Sequence, residues 1–402
     1  MSRLLDDVVG ELSRLPGVGR RTALRLAMHM LRMEVQDVEL MAGAISRFRR
    51  EIHYCSHCNN LSDRDICDIC ADETRDRTIV CVVEQVKDLL SIENTRQYNG
   101  LYHVLGGVIS ALNVLCSKGD NVLLHSPTYI GFTHCLTDNG YHIVHSPLTK
   151  DEQGVWRMDF ADMEKKIVEN HIHAAIFCSP HNPCGRVWER WEIEQAMALY
   201  KKYDVMVVSD EIWSDILLTG YCHIPTQSVS EDAKMRTVAL YAPSKTFNLA
   251  GLVGSYHIIY NSWLRDRCDK EGSLSHYNAM NVMSMHALLG AYRPEGYEWV
   301  EELRQVITGN VDFACDYIAK HFDGVEVSRP QGTYMLFLDC GEWLTAHGKT
   351  MDELLAAGWD VGVIWQDGRA FHGQTHIRMN LALPLSRVQE AFRRLDTYVF
   401  NA

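Results

Sequence analysis

Three features are absent from the sequence, and each absence excludes a class of protein. No apolar run reaches the roughly 18 residues that a transmembrane helix needs. The opening stretch MSRLLDDVVGELSRLPG carries acids where a secretory signal peptide has an apolar stretch. Positive charge is not in excess, because 39 Lys and Arg are outnumbered by 52 Asp and Glu, for a net charge of −13. We therefore expect a soluble, cytoplasmic protein with no membrane partner, and the acidic balance disfavours general nucleic-acid binding.

Tryptophan is absent from the first 155 residues, although the chain contains nine. In contrast, four of the thirteen cysteines are packed between Cys55 and Cys70. The first 50 residues carry nine Arg and six acids, a local excess of +3 that leaves room for a local contact with nucleic acid. A length of 402 residues suits two or three domains. These uneven distributions indicate that the front of the chain and the remainder have different ancestries.

A pair of helices is predicted near the start of the chain. Helix-period apolar positions run from Leu4 to Leu15, the string LPGVG interrupts them, and RRTALRLAMHML resumes the period. Glycines on both sides of Val18 would let the backbone approach a partner, and amides at a helix N-terminus can hold a phosphate. The candidate contact residues are Gly17, Gly19, Arg20 and Arg21. An ordinary helical hairpin with a solvated arginine face fits the spacing equally well.

A metal site is predicted by the string CSHCNNLSDRDICDIC, which contains two CxxC pairs separated by eight residues. Each pair can present two thiolates to one tetrahedral Zn²⁺, and four such ligands leave no open position for a substrate. We therefore predict a structural Zn²⁺ that supplies folding energy to this short segment. Its ligands would be Cys55, Cys58, Cys67 and Cys70. Two disulfide bonds are the alternative, which a cytosolic chain disfavours, and His57 could compete as a ligand.

Three motifs in order carry a resemblance to a known family. They are LPGVGRRTALRLAMHML, the four-cysteine string and CVVEQVKDLLSIENTRQYNGLYHVLGGVIS, and together they resemble the N-terminal half of the bacterial recombination mediator family RecR, over about residues 1–112. The resemblance implies a helix-hairpin-helix over 1–54, a four-cysteine zinc finger over 55–76 and a partial Toprim domain over 77–112 with Glu84 as its first acid. It also implies that the hairpin glycines and arginines named above contact DNA. The corresponding hypothesis is a zinc-containing DNA-binding protein of recombinational DNA repair.

From residue 107 to the end, short β runs such as VMVVSDEIW and TVALYAPS alternate with helical stretches such as EIEQAMALYKKY. This alternation favours an α/β fold with a mostly parallel sheet and helices on both faces. The loops that follow the strands carry unusual residues, as expected for ligand sites at the carboxyl ends of strands. The candidates are Asn182 in SPHNPCGRVW, Asp210 in VVSDEIW, Ser244 and Lys245 in APSKTFNLAGL, and Arg378 in the apolar strand THIRMNLALP.

These residue types suit pyridoxal phosphate (PLP). The cofactor needs a lysine for its Schiff base, an aspartate that keeps its pyridine nitrogen protonated, and donors for its phenolate and phosphate. An amino-acid substrate needs an arginine for its carboxylate. Each residue has an ordinary explanation when taken singly, since a strand-end aspartate is commonly a cap and a loop lysine is commonly solvated. In this order and spacing, they predict a PLP site.

The same strings, with SPTYIGF and GTYMLFLDC, resemble fold-type I PLP enzymes of the aminotransferase class I/II group, and most closely the MalY/PatB-type cystathionine β-lyases, over about residues 107–402. The resemblance implies a PLP-binding large domain over 107–285, truncated at its N-terminus, and a small α/β domain over 286–402. The implied cofactor-binding residues are Gly107, Val108 and Ile109 at the phosphate, Tyr129 on the ring face, Asn182, Asp210, Ser244 and Lys245.

The resemblance also implies roles and a reaction. Lys245 would hold the cofactor covalently and move the substrate proton, Asp210 would pair with the pyridinium nitrogen, and Asn182 would donate to the ring oxygen. Arg378 would bind the substrate carboxylate. The implied activity is β-elimination from cystathionine or a cysteine-S-conjugate to a thiol, pyruvate and ammonia, by a homodimer. Trp213 occupies a position where many aminotransferases have a tyrosine, which favours a lyase over the alternative of a PLP aminotransferase.

The two resemblances overlap in the segment LGGVISALNVL, which lies over residues 105–115. A selected fusion of two domains is expected to have an exposed linker, and this segment has no Pro-, Gly- or Ser-rich stretch. We therefore interpret the chain as a chimaera, in which a RecR-like front joins a PLP-enzyme remainder. Long sequencing reads across codons 100–120 of the source DNA test whether one intact reading frame encodes both parts.

Overall fold

The computed structural model describes residues 2–14, 19–55, 61–83, 93, 99–104, 107–252, 254–274 and 282–401. Contacts between residues divide the chain into two units, Met1–Arg75 and Asp76–Ala402. No helix among these residues is long and apolar enough to cross a bilayer. The finer domain boundaries inferred from the sequence stay predictions.

The first unit is built from helices and one small hairpin. Its helices are Arg3–Leu12, Arg20–Met30, Val35–Glu51 and the short Asp68–Ala71, and its antiparallel strands are β1 (His53–Tyr54) and β2 (Leu61–Ser62). The first two helices pack through Val9, Ala23 and Ala27, all of them buried. Two alanines at four-residue spacing lie on one helical face, so the second helix can approach the first closely.

The second unit begins with a parallel pair of strands, β3 (Asp76–Val83) and β4 (Gly100–Val104). The string TIVCVVE, residues 78–84, lies in β3 except for its last residue. That residue, Glu84, which the resemblance implies as the first Toprim acid, lies outside the described residues.

A seven-stranded sheet forms the centre of the second unit, in the order β11-β10-β9-β8-β5-β6-β7. The five inner strands pair in parallel, and β11 and β7 pair antiparallel at the two edges. The predicted mostly parallel sheet is therefore confirmed. The strands are β5 (Asn121–Ser126), β6 (His142–Lys150), β7 (Trp156–Met158), β8 (Ala174–Cys178), β9 (Met206–Asp210), β10 (Thr237–Tyr241) and β11 (Tyr256–Ile258).

The central sheet is covered on both faces. All five residues of β8 are buried, and neighbouring residues of the inner strands belong to two different core clusters, with Phe177 in one and Ile176 in the other. Because side chains alternate along a strand, these clusters lie on opposite faces of the sheet. The accompanying helices are Gly107–Leu115, Ile130–Asp138, Phe160–Glu169, Arg190–Lys202, Glu231–Arg236 and Pro243–Thr246.

A second sheet of four antiparallel strands lies toward the end of the chain, in the order β12-β13-β15-β14. Its strands are β12 (Glu326–Val327), β13 (Met335–Asp339), β14 (Gln366–Asp367) and β15 (His376–Asn380). Leu336, Ile377 and Phe392 belong to its buried core. The helices of this part are Ser262–Leu274, Val282–Ala291, Pro294–His321, Gly341–His347, Met351–Asp360 and Leu385–Leu395.

Candidate active site and candidate metal centre

Three predicted site residues follow three neighbouring parallel strands. Asn182 lies in the loop after β8, Asp210 is the last residue of β9, and Lys245 lies in the short helix after β10. The register pairs Cys178 with Asp210, and Asp210 with Leu240. Because parallel strands end at the same edge of a sheet, the three loops emerge together there.

Asp210 is a carboxylate whose ionised form is poorly compensated. The side chain is half-buried, and its Oδ1 accepts a hydrogen bond from the Ile212 backbone N–H at 3.1 Å. Burial raises the pKa of Asp210 to about 6, although that hydrogen bond and the charge of Lys245 both act to lower it. A cationic partner at this carboxylate would remove the cost of its ionisation.

Lys245 lies against an aromatic wall at the same edge. Its Nζ is 5.9 Å from the centroid of the Trp213 ring, and the ring itself is buried. Pro243 occupies the first turn of the short helix that carries Ser244 and Lys245, where its missing N–H costs no hydrogen bond. The next residue, Thr246, donates to a carboxylate oxygen of Asp215 at 3.0 Å, which anchors the loop.

Arg378 reaches this edge from the second sheet. Its Nη1 donates to Oδ1 of Asn182 at 3.0 Å, and its Nε donates to Oε1 of Gln366 at 2.8 Å. Its Nη2 also donates to Gln366. The Phe371 ring centroid lies 4.2 Å from Cζ of the guanidinium. Burial lowers the pKa of Arg378, and the structure contains no ion pair between this guanidinium and a described acid.

Tyr129 lies close enough to Arg378 for its phenol to influence the pKa of that guanidinium. The backbone N–H of the preceding residue, Thr128, donates to the Phe371 carbonyl at 3.0 Å. Gly131 is required beside the ring, because a Cβ there would come within 2.4 Å of Cε1 of Tyr129. Tyr129 therefore packs closely against Gly131 near Arg378, and its role on a ring face stays a prediction.

The predicted phosphate residues Gly107, Val108 and Ile109 form the first turn of the helix Gly107–Leu115. That helix packs against β9 and β10, the strands that lead to Asp210 and to the Lys245 loop. A helix N-terminus presents free backbone N–H groups to an anion. The helix that these residues begin therefore packs on the two strands that lead to the aspartate and the lysine, and the role of its first turn at a phosphate stays a prediction.

An ion-pair network lies beneath the loop that carries Asn182. Arg186 is 3% exposed and Glu192 is fully buried, and the two form an ion pair. Arg157 also reaches Glu192, with Nη1 and Oε1 at 3.2 Å. In the same loop Gly185 has φ +65°, and a Cβ there would lie 2.4 Å from Cβ of Pro330. These contacts restrict the conformations open to the loop that carries Asn182.

Sequence reasoning missed several residues of this edge, above all Gln366 and Phe371, which hold Arg378 on two sides. Neither lies in a recognisable motif, and each meets the arginine only through sheet pairing or loop packing. Two buried histidines were missed as well. Burial lowers the pKa of His125 to about 4 and that of His181 to about 3, so both are neutral at pH 7.

Three of the four predicted zinc ligands come together in the first unit. The sulfur atoms of Cys55, Cys67 and Cys70 lie within 4.8 Å of one another, and all three residues are buried. The backbone N–H of Cys67 donates to the sulfur of Cys55 at 3.2 Å. Cys58 lies outside the described residues. Clustered thiolates of this kind suit tetrahedral Zn²⁺.

The predicted DNA-contacting residues lie at the start of the second helix. Gly19 precedes its first turn, and both Arg20 and Arg21 are exposed. Arg20 pairs with Asp6 at 3.3 Å. Gly17 lies outside the described residues.

The first unit and the start of the second match the RecR family. Residues 5–48 match the family model described as RecR, helix-hairpin-helix, residues 52–72 match the model of the RecR four-cysteine zinc finger domain, and residues 78–118 match the Toprim domain. The recombination protein RecR of Porphyromonas gingivalis (strain ATCC BAA-308 / W83) is 54% identical over 112 residues, which are 28% of this chain and 54% of the relative. The chain thus spans about half the length of the RecR proteins it matches.

The remainder matches a different family. Cystathionine beta-lyase PatB of Bacillus subtilis (strain 168) is 32% identical over 295 residues, which are 72% of this chain and 75% of the relative. The crystal structure of cystalysin from Treponema denticola, which contains pyridoxal 5'-phosphate, aligns with a TM-score of 0.68 at 29% identity and covers 73% of this chain and 74% of that one. The PLP-bound C-S lyase from Staphylococcus hominis aligns with a TM-score of 0.67 at 28% identity and covers the same shares.

The two sets of matches overlap over residues 103–118, because the Toprim match ends after the second family match has begun. The chain therefore joins parts of two families, as the sequence predicts. The second of these is the family model described as aminotransferase class I and II, which matches residues 103–395, nearly three quarters of the chain. The chain belongs to the aminotransferase class I and II family.

Proposed function

We propose that this protein is a PLP-dependent carbon–sulfur β-lyase that acts on cystathionine or a cysteine-S-conjugate and forms a thiol, pyruvate and ammonia. The observation that carries the proposal is the placement of Asp210 and Lys245 at one edge of the sheet, with Arg378 joined to the same edge through Asn182. PatB and the C-S lyase of Staphylococcus hominis, which resemble the chain over the same region, support the lyase assignment.

The residues fit the cofactor by their chemistry. When bound, PLP supplies an electron sink that stabilises negative charge at the substrate Cα. Asp210 presents a carboxylate that a pyridinium would neutralise, and Lys245 presents a primary amine close to it. Gly107, Val108 and Ile109 offer helix N-terminal amides to a phosphate, together with Ser244.

The remaining side chains would bind and orient. Asn182 accepts from Arg378 with its amide oxygen, which leaves its amide N–H groups to donate to the ring oxygen of the cofactor. Tyr129 would cover one face of the ring. Arg378 would bind the substrate carboxylate, and the Nζ of Lys245 would take the proton from the substrate Cα.

An aminotransferase is the alternative reaction for the same residues. Trp213 is buried, and its ring centroid lies 5.9 Å from Nζ of Lys245. Its indole N–H group can only donate, so it cannot replace a phenol that both donates and accepts at the ring oxygen. We therefore favour elimination over transamination. Incubation with cystathionine distinguishes the two, because the lyase releases pyruvate without an added keto acid, whereas the aminotransferase requires one.

Cofactor binding has a direct test. The purified chain should carry a yellow chromophore that borohydride bleaches, and Lys245→Ala should lack it because no other amine occupies that position. Lys320→Ala is a matched control, since Lys320 is an exposed lysine on the helix Pro294–His321. A chromophore that survives Lys245→Ala would contradict the assignment of the lysine.

A second candidate function is a zinc-containing DNA-binding module of recombinational repair. The cluster of Cys55, Cys67 and Cys70 and the exposed Arg20 and Arg21 support it. Binding of short duplex DNA should weaken steeply with salt, because each neutralised phosphate releases counterions. The double variant Arg20→Ala/Arg21→Ala should reduce both the affinity and the salt slope. Equal slopes for that variant and the unmodified chain would exclude a contact by these arginines.

We also propose that the PLP-enzyme part forms a homodimer. The helix Val282–Ala291 is apolar around most of its circumference, yet Val282, Met283 and Leu289 are exposed, at 64%, 69% and 56%. A helix of this composition is normally covered, and exposed apolar surface of this kind marks an interface. Light scattering should give twice the chain mass, and Met283→Glu should shift the measured mass toward that of the monomer.

A cytoplasmic location stays a prediction from the sequence.

A further inference from the structure

The guanidinium of Arg378 is held in place by neutral groups. Oε1 of Gln366 accepts from Nε at 2.8 Å and also from Nη2. Oδ1 of Asn182 accepts from Nη1 at 3.0 Å. The Phe371 ring lies 4.2 Å from Cζ. Two edges and one face of the planar group are therefore occupied by groups of this chain.

Two N–H groups of the Arg378 guanidinium have no acceptor among the residues that the structure describes. A guanidinium has five N–H groups, one on Nε and two on each terminal nitrogen. Gln366 and Asn182 accept from three of them, which leaves one on Nη1 and one on Nη2. Two N–H groups on neighbouring nitrogens match the two oxygens of a carboxylate.

The neutrality of these acceptors has a consequence for charge. A glutamine oxygen orients the guanidinium without neutralising it, whereas a carboxylate at the same place would close an ion pair. Among the residues that the structure describes, the ion pairs formed by arginines do not include Arg378. Its charge therefore stays available to an incoming anion, within a site where the arginine is only 9% exposed.

We propose that Gln366 is a positioning residue that aims Arg378 at the α-carboxylate of an amino-acid substrate and, by being uncharged, keeps the guanidinium free to bind it. The inference rests on the proposed function, because that function supplies the amino-acid substrate. Gln366 acts through Arg378 and needs no contact with the reacting atoms.

The position of Gln366 makes the proposal testable without damage to the core. The residue is the direct partner of Arg378 in the pairing of β14 with β15, but it is itself exposed. Substitutions there change the acceptor at Nε and Nη2 of the arginine. They leave the buried cluster that contains Leu336 and Ile377 intact.

The experiment compares Gln366→Glu, Gln366→Leu and the control Gln374→Glu in the full-length chain loaded with PLP. Gln374 is an exposed glutamine of the neighbouring loop, so its variant adds the same charge nearby without an ion pair to Arg378. L-alanine and L-alaninamide serve as probes, and binding is followed by the change in cofactor absorbance. Only L-alanine carries the carboxylate.

A hydrogen bond to a charged group is worth enough to change an affinity by about 10- to 100-fold. Gln366→Leu should therefore weaken the binding of L-alanine about tenfold, and Gln366→Glu should weaken it about 100-fold although it keeps the acceptor. The affinity for L-alaninamide should change little in either variant, and the control should bind both probes as the unmodified chain does. Lowering the pH should restore the affinity of Gln366→Glu, because protonation removes the competing charge.

Two results would overturn the proposal in different ways. Normal cofactor loading, with equal L-alanine affinity in all variants, would show that Gln366 does not position the arginine. A chain that carries no borohydride-sensitive chromophore would instead contradict the proposed function, and the inference that rests on it would fail for that reason.

Discussion

The substitution Asp210→Asn should stabilise the cofactor-free protein while it weakens cofactor binding. Asparagine keeps the side-chain oxygen that accepts from the Ile212 N–H at 3.1 Å, but it removes the charge that burial disfavours. The pKa of the native carboxyl is raised from 3.8 to about 6. The ionised aspartate is therefore a cost to the native state that the bound cofactor would remove.

The magnitude follows from the pKa. A tenfold change in proton affinity corresponds to about 1.4 kcal/mol, so the rise from 3.8 to about 6 corresponds to about 3 kcal/mol. The native carboxyl binds its proton more tightly than the unfolded one does. The cost is consequently present in full above pH 6, decreases as the pH falls, and is absent below pH 3.8, where both states are protonated.

Urea unfolding followed by tryptophan fluorescence measures this effect in the relevant part of the chain. All nine tryptophans lie beyond residue 155, within the unit Asp76–Ala402. At pH 7.5 Asp210→Asn should raise the free energy of unfolding by up to about 3 kcal/mol, and the difference should shrink toward pH 4. Acid effects from other groups, such as the buried His125, occur in both proteins and cancel in the comparison.

Saturating PLP should reverse the order of stability, because only the aspartate can pair with a pyridinium. A variant that is less stable than the unmodified chain at pH 7.5 without cofactor would refute the reasoning. A stability difference that does not change between pH 7.5 and pH 4 would refute it equally, since it would show that the charge of Asp210 is not the cause.

Three further outcomes are expected. Glu192→Ala should lower the free energy of unfolding by about 3–5 kcal/mol, because it removes the buried carboxylate from Arg186 and leaves that arginine with the more exposed Glu189 as its ion-pair partner, while the exposed Glu194→Ala on the same helix should change it by less than about 1 kcal/mol. Removal of zinc by a chelator, or Cys70→Ser, should abolish amide-exchange protection in residues 2–55 and leave tryptophan fluorescence unchanged; a fluorescence change would contradict a zinc role confined to the first unit. Stability should fall as the pH drops from 6.5 toward 4, because His125 and His181 stay neutral in the native state while unfolded histidines take up protons; the double variant His125→Gln/His181→Gln should flatten that slope.

Local chemistry explains which features could be predicted. A lysine after a buried strand, an aspartate at a strand end and paired CxxC motifs each lie within a short string of the sequence, so both family resemblances could be read from them, and the alternation of β runs with helical stretches predicted the α/β fold. The fold class was confirmed by the sheet order and by the family matches. The roles of the individual site residues stay predictions, since Glu84, Cys58 and Gly17 lie outside the described residues and no ligand contact tests the others.

The sequence by itself determined the two ancestries of this chain, the strand-and-loop pattern and the residue types from which a PLP site can be built. Only the tertiary structure decided how Arg378 is held. Asn182 is 196 positions away from it in the chain, and Gln366 meets it through the pairing of β14 with β15. Such contacts depend on how strands pair and how loops pack across the whole fold. No local periodicity encodes that pairing, so the neutral setting of the arginine becomes visible only once the chain has folded.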